Sequence, residues 1–205
     1  MINKITGYVR REKALNESIG AFIVEYEFVL STIYSILSIC IKKGGLKDEA
    51  YLIILTHDST GYPLTQYMMA SLKHQYNSEF SSSDKLLSKY LKAIESKLND
   101  AHNLRNKIVH SAWIYGFDPS PIKDDIAIST RHFVKSEGLV PFRKEMRKED
   151  FREYTKSLNK LSIELEILQE QVVNDKFIGL DNKITSVKLI DLSLDESKYS
   201  ESEMD

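Results

Sequence analysis

Apolar residues recur about every 3.6 positions over most of this chain, and that spacing predicts helices. The first is expected from about Arg11 to Lys42, with Leu15, Ile19, Phe22, Ile23, Tyr26, Leu30, Ile33, Leu37 and Ile41 on one stripe. Phe28, Val29, Tyr34, Ile36 and Ile39 widen the stripe to most of the circumference. A helix apolar on more than one face is central in its domain or lies at a subunit contact. Gly44-Gly45 ends it. Lys47 to His57 reads as a short helix, and Thr60-Gly61-Tyr62-Pro63 as a turn, with Pro63 suited to a first helical turn. Leu64 to Tyr76 reads as a third helix, with Leu64, Tyr67, Met68, Ser71 and Leu72 on one side. Asn77 to Ser83 is a polar loop, and Ser83 or Asp84 can cap a fourth helix.

The fourth helix carries a seam. Leu87, Leu91, Ile94, Leu98 and Ala101 follow a 4-3-4-3 spacing, and the rhythm continues to positions 105, 108 and 112. Ile108 and Ala112 fit, whereas position 105 is an arginine. After Trp113 the pattern changes. Trp113–Phe117, Ile126–Thr130 and Leu139–Arg143 read as extended pieces around Asp118-Pro119-Ser120-Pro121. A last helix is expected from Lys148 to Val173, with Phe151, Tyr154, Leu158, Leu161, Leu165, Leu168 and Val172 in register. The expected class is mainly α, with a helical domain over residues 1–178. Residues 179–205 read as an extended segment, Ile184 to Ile190, followed by a flexible acidic tail.

Composition narrows the function classes. Net charge is −2; Asn174 to Asp205 carries eight acids and four bases, which leaves the rest of the chain weakly basic at +2. That balance permits a nucleic-acid partner without requiring one. The single cysteine, Cys40, excludes an intramolecular disulfide and a cysteine-based zinc site and points to a reducing, cytoplasmic setting. Residues 1–16 contain no apolar run of the kind a signal peptide needs. Gly20 to Ile41 is long enough to span a bilayer, but Glu25 and Glu27 lie within it, and the uncharged part from Phe28 is too short alone. A buried central helix is the expectation, with no membrane partner.

The chemistry gathers at the end of the seam helix, in Arg105-Asn106-Lys107-Ile108-Val109-His110. Residues four apart on a helix lie about 40° from each other, so His102, Asn106 and His110 read as one polar stripe flanked by Arg105. Imidazole moves protons near neutral pH, and guanidinium presents a permanent planar fork to phosphate oxygens. Together they form a minimal kit for metal-free RNA cleavage: a group for the proton of a 2′-hydroxyl or leaving oxygen, and a cation for charge at phosphorus. The plain reading is a helix end that favours cations, with His102 as an exposed helical histidine. In a chain with seven Arg and five His the bare Arg-x4-His spacing arises by chance roughly 0.2 times, so the weight falls on its coincidence with the break in the seam. Arg143, Lys144, Arg147, Lys148 and Arg152 form a basic run, either a solvated face or an RNA-backbone track. His57 with Asp58, and His74, have no second ligand cluster at matching spacing, so no metal and no cofactor are expected.

The segment LRNKIVHSAW resembles the signature of the HEPN superfamily: Arg, a polar residue, a few variable positions, then His. The layout is similar too, over roughly residues 10–175. The resemblance implies a four- to five-helix up-and-down bundle, with a short extended excursion before the last helix. It implies a homodimer whose two motifs meet at the interface, and metal-independent endoribonuclease activity in toxin–antitoxin or antiviral defence. By that resemblance Arg105 would contact the scissile phosphate and His110 would transfer protons. Asn106 would position one or the other, while His102, Arg143, Lys144, Arg147 and Lys148 would lie along the RNA. An antitoxin or regulatory protein would be a partner. Members paired with nucleotidyltransferase antitoxins carry a tyrosine two residues after the histidine; Ala112 stands there, against that pairing. Other relatives serve only as binding or scaffolding modules.

Overall fold

The computed structural model describes residues 2–46, 50, 53, 56, 59–76, 85–115, 126–135 and 138–192. Five helices and a three-stranded sheet occupy them: α1 (Ile2–Lys43), α2 (Gly61–Tyr76), α3 (Lys85–Val109), β1 (Ala112–Tyr115), β2 (Ile126–Lys135), β3 (Gly138–Arg147), α4 (Lys148–Val173) and α5 (Leu180–Lys188). The protein is mainly α, as the apolar periodicity predicts. The helix expected over Lys47–His57 and the loop and caps at 77–84 lie largely or wholly outside the described residues.

Helix α1, about 63 Å long at 1.5 Å per residue, packs most extensively against α4. Its buried face holds Leu15, Phe22, Tyr26, Val29, Ile33, Ile36, Leu37 and Cys40. Burial pushes the Cys40 thiol up to about 11, despite the lowering influence of Lys43, so it stays a neutral apolar filler. Two residues expected in apolar stripes point outward instead: Phe28 is 57% exposed and Tyr67 48% exposed. The stretch Glu12–Lys43 is long and apolar enough to cross a membrane by length and composition, yet the same stretch supplies one wall of the core.

Three helix ends converge. Lys43 Nζ donates to Val172 O at 2.6 Å and Val173 O at 3.0 Å, so an ammonium sits on the carbonyl end of α4, where the helix dipole favours a cation. The same ammonium is 2.7 Å from Asp175 Oδ2, and Tyr76 Oη donates to Asp175 Oδ1 at 2.8 Å. These two donors hold the Asp175 carboxyl below the usual carboxylate range. Asp175 has φ 49°, the left-handed residue of a Schellman ending in which Lys176 N bonds to Gln171 O and Asp175 N to Val172 O. Helix α1 ends the same way with Gly45 at φ 98°. The C-terminal ends of α1, α2 and α4 therefore meet, and these three helices run in one direction. Helix α3 runs against them, with Thr65 beside His102 and Gln66 and Lys73 beside Glu95. The alternation of an up-and-down bundle holds from α2 through α4, while α1 and α2 run the same way.

The extended excursion is an antiparallel meander of order β1-β2-β3, with Ala112 opposite Thr130 and Thr130 opposite Arg143. It precedes the last two helices, not one. The segment expected to be extended, Ile184 to Ile190, is mostly helical: α5 lies against α3 and buries Ile184 and Val187, and the chain just after it buries Ile190 and Leu192. Ser186 Oγ donates to the buried carboxylate of Glu164, and Gln171 Nε2 to Ile178 O, tying this segment to α4. The packed fold thus continues to Leu192, past the boundary expected at 178, because four apolar residues spaced 3, 3 and 2 apart find the open side of the α3 seam. Residues 193–205 of the acidic segment lie outside the described residues.

Val187 is fully buried. Val187→Asp is expected to cost about 3 kcal/mol or more, the penalty for burying an unpaired charge, read as a lower urea midpoint. A tail residue would tolerate the change within about 0.5 kcal/mol.

Candidate functional site

Helix α3 carries Arg105 and Asn106 and ends one residue before His110, and its pitch decides which side chains meet water. Leu87, Leu91, Ile94, Leu98, Ala101 and Ile108 of the seam are all buried. A row of residues four apart drifts by about 40° per step. The row His102, Asn106, His110 therefore starts beside the seam and ends on the outside. His102 is 4% exposed, whereas Asn106 and His110 are exposed. The expectation of an exposed His102 in a common polar stripe, available to RNA, is corrected: its position one step round from Leu98 places it inside.

There His102 joins three helices. Its Nδ1 shares a 2.9 Å hydrogen bond with Tyr26 Oη of α1, and its Nε2 a 2.8 Å bond with Thr65 Oγ1 of α2. A neutral imidazole can donate at one nitrogen and accept at the other, and two hydroxyls match either tautomer. Burial pulls the imidazole down to about 4, well under its ordinary value. Tyr26 stands edge-on to the imidazole at 5.8 Å; burial pushes its phenol up to about 12, against the opposing pull of Arg105. Gly61 closes the cluster at the start of α2. A methyl group there would overlap the Tyr26 hydroxyl and the His102 ring, so glycine is needed here for space.

Arg105 stands in the seam position yet is only half-buried. Its guanidinium lies 5.9 Å from the centre of the Tyr26 ring, over its face, and Nη1 donates to Asn106 Oδ1 at 3.2 Å. A cation over an aromatic face is attracted by the ring quadrupole. Arg105 and Asn106 are thus brought together. Arg105 and His110 are not: among the described residues no hydrogen bond or ion pair joins them. His110 sits in the turn after α3, with its backbone N–H bonded to Asn106 O at 3.2 Å and its side chain exposed. The turn is secured around it, by Ser111 Oγ donating to Lys107 O and by Trp113 Nε1 donating to Ile108 O at 2.9 Å. Trp113 packs edge-on against Phe151 of α4, with ring centroids 5.2 Å apart, so it anchors the start of the sheet.

The basic run divides. Arg143 and Lys144 belong to β3, aligned with Thr130 and Ser129 of β2. The row Ala112, Thr130, Arg143 crosses the sheet, so the Arg143 backbone stands two strand spacings, about 10 Å, from the strand after His110. Arg147 and Lys148 lie at the junction with α4, where Arg147 N donates to Asp150 Oδ2 at 2.7 Å and Lys148 is 3.6 Å from Glu149. Arg147 is exposed and Lys148 half-buried. Among the described residues no group of three or more His, Cys, Asp or Glu gathers in a way that could hold a metal ion.

The sequence pattern places Tyr26 in an apolar stripe and Gly61 in a turn, and gives neither of them nor Thr65 a place in the site. One signal was available for His102: it lies four residues after Leu98 and eight after Ile94, next to the seam. Nothing in the linear sequence assigns it partners 76 and 37 residues away. Compared with the models of known protein families, with curated proteins and with solved structures, the chain matches none.

The buried imidazole makes stability depend on pH. The folded chain binds the His102 proton only near pH 4, while the unfolded chain binds it near 6.5. Stability is therefore full above about pH 6.5 and falls as pH drops toward 4, by roughly 3 kcal/mol for a lowering of that size. His102→Gln keeps a donor and an acceptor but does not titrate. Its melting temperature is expected to fall less than that of wild type between pH 7 and 4.5, measured by circular dichroism. Gly61→Ala is expected to cost about 1–3 kcal/mol by overpacking, read in the same assay at pH 7.

Proposed function

We propose that this protein is a metal-independent endoribonuclease of the HEPN type that acts as a homodimer, in a cytoplasmic toxin–antitoxin or antiviral setting. The observation that carries the reading is the state of the motif on α3. Arg105 is held over Tyr26 and on Asn106, and no carboxylate partner is present among the described residues. Five residues on, His110 is exposed just past the helix end, with no side-chain hydrogen bond among the described residues. A guanidinium so placed is free to take a phosphate oxygen, and an exposed imidazole is free to move a proton.

Within this reading Arg105 stabilises charge at the scissile phosphate. His110 takes the 2′-hydroxyl proton or delivers one to the leaving 5′-oxygen, and the product ends in a 2′,3′-cyclic phosphate. Asn106, bonded to Arg105 and one turn before His110, aligns the pair. On an ideal helix, positions five apart diverge by about 140°, and among the described residues no contact joins Arg105 to His110, so a second subunit that supplies the opposing group completes the site. Exposed apolar residues on the long helices, Val24 and Phe28 of α1 and Ile163 of α4, give such a contact material to bury. Arg147, exposed at the end of β3, and Lys148, half-buried at the start of α4, supply cations toward RNA, and Arg143 and Lys144 hold positions on β3 in the same run. His102 holds no part of the RNA surface because it is buried.

The same divergence and the same exposed apolar residues favour a second reading, a helical dimerisation or partner-binding module with a vestigial site. The two separate on one experiment. Wild type, Arg105→Ala and His110→Ala are incubated with mixed RNAs in a chelator, and product ends are identified. Wild type is expected to cleave and leave cyclic phosphate, with each variant slowed at least about 100-fold at unchanged helicity and oligomeric state. Wild type that is inert yet forms a tight complex establishes the binding module; variants that cleave like wild type overturn this mechanism.

A further inference from the structure

We infer that Tyr26, His102 and Thr65 are positioning residues that fix the guanidinium of Arg105. The kinetic part of this inference rests on the ribonuclease reading above; the geometric part does not.

Arginine brings a long side chain with about 2 kcal/mol of rotamer entropy. At a seam position on α3 it has no carboxylate among the described residues to hold it. Two contacts replace one: the Tyr26 ring under the guanidinium, 5.9 Å from the centroid, and the Asn106 amide oxygen at 3.2 Å. The ring can serve as a platform only if it cannot turn or slide. Its hydroxyl is tied to His102 Nδ1, and the other side of the imidazole is tied to Thr65 Oγ1, which is fully buried. Gly61 lets the hydroxyl and the imidazole occupy the space where a Cβ on α2 would stand. A chain of contacts thus runs Thr65, His102, Tyr26, Arg105 across α2, α3, α1 and back to α3. Packing alone does not account for two buried hydroxyls and a buried imidazole where apolar side chains would fill the same space without needing partners. Preorganising a cation where charge develops is what such a cluster achieves, and misplacement by about 1 Å costs on the order of 100-fold in rate.

The test reads Arg105 directly. In protein labelled with nitrogen-15, the side-chain Nε–H signal of Arg105 is assigned by its loss in Arg105→Lys. Wild type is expected to show an ordered Nε with an upfield shift from the ring below it. Tyr26→Leu should abolish that shift. Thr65→Val, which leaves Tyr26 and Arg105 unchanged in sequence, should loosen the Nε toward the mobility of exposed arginines, and Thr65→Ser should restore it. In cleavage assays Thr65→Val is expected to lower kcat about 10- to 100-fold while KM stays within about threefold, with recovery in Thr65→Ser. An Arg105 signal that is the same in wild type, Tyr26→Leu and Thr65→Val overturns the inference. If Tyr26→Leu does not fold, the Thr65 pair decides alone. If wild type cleaves no RNA while the Arg105 signal responds as expected, the ribonuclease reading fails and the positioning role stands.

Discussion

A neutral imidazole in the interior is the constraint around which the helices of this protein are arranged. His102 can be buried only if both ring nitrogens are bonded, because an unpartnered buried polar atom costs about 1–3 kcal/mol. The two hydroxyls that satisfy it come from α1 and α2, so one residue of α3 sets the relative position of three helices. The need propagates: Gly61 must be glycine for α2 to start beside the ring, and Tyr26 must present its ring face to Arg105. The polar cluster makes these contacts direction-specific in a way that apolar packing elsewhere in the core does not.

At the other end of the bundle a second polar device registers α1 and α2 again, this time with α4. Lys43, Tyr76 and Asp175 gather the C-terminal ends of α1, α2 and α4 through an ammonium on helix carbonyls and a carboxylate that accepts from both donors. Between the two clusters lies an apolar interior of Val, Ile, Leu, Met and Phe side chains. This arrangement puts specific polar contacts at both ends and close packing between them, and at the end of α3 it buries Leu104 and Ile108 while leaving Asn106, Val109 and His110 exposed. His110, in the turn between α3 and β1, is exposed on a secured backbone. That is a sound place for a group that must meet a substrate.

The functional reading rests on what each charged group is used for. Lys43 and Asp175 satisfy each other and a helix end, and Lys148 and Asp150 serve the start of α4. Arg105 instead rests on a ring face and an amide, partners that orient a guanidinium without neutralising it. Half-exposed and oriented but not ion-paired among the described residues, Arg105 differs in this from Lys43 and Lys148.

The linear pattern by itself determined the helical class, the extents of the Leu64–Tyr76 and Lys148–Val173 helices to within a few residues, and the seam on α3 with its break at Arg105. All of these arise from local periodicity, which operates within one element. The Ala112 continuation of the seam failed because the helix stops at Val109 and the chain turns into β1. The tertiary structure alone decided that His102 is buried, that Phe28 and Tyr67 face outward, and that Ile184 to Leu192 completes the core. In each case the answer depends on which surface a second element covers. His102 and Asn106 are both polar and four residues apart; only the approach of α1 and α2 puts one in the interior and leaves the other in water.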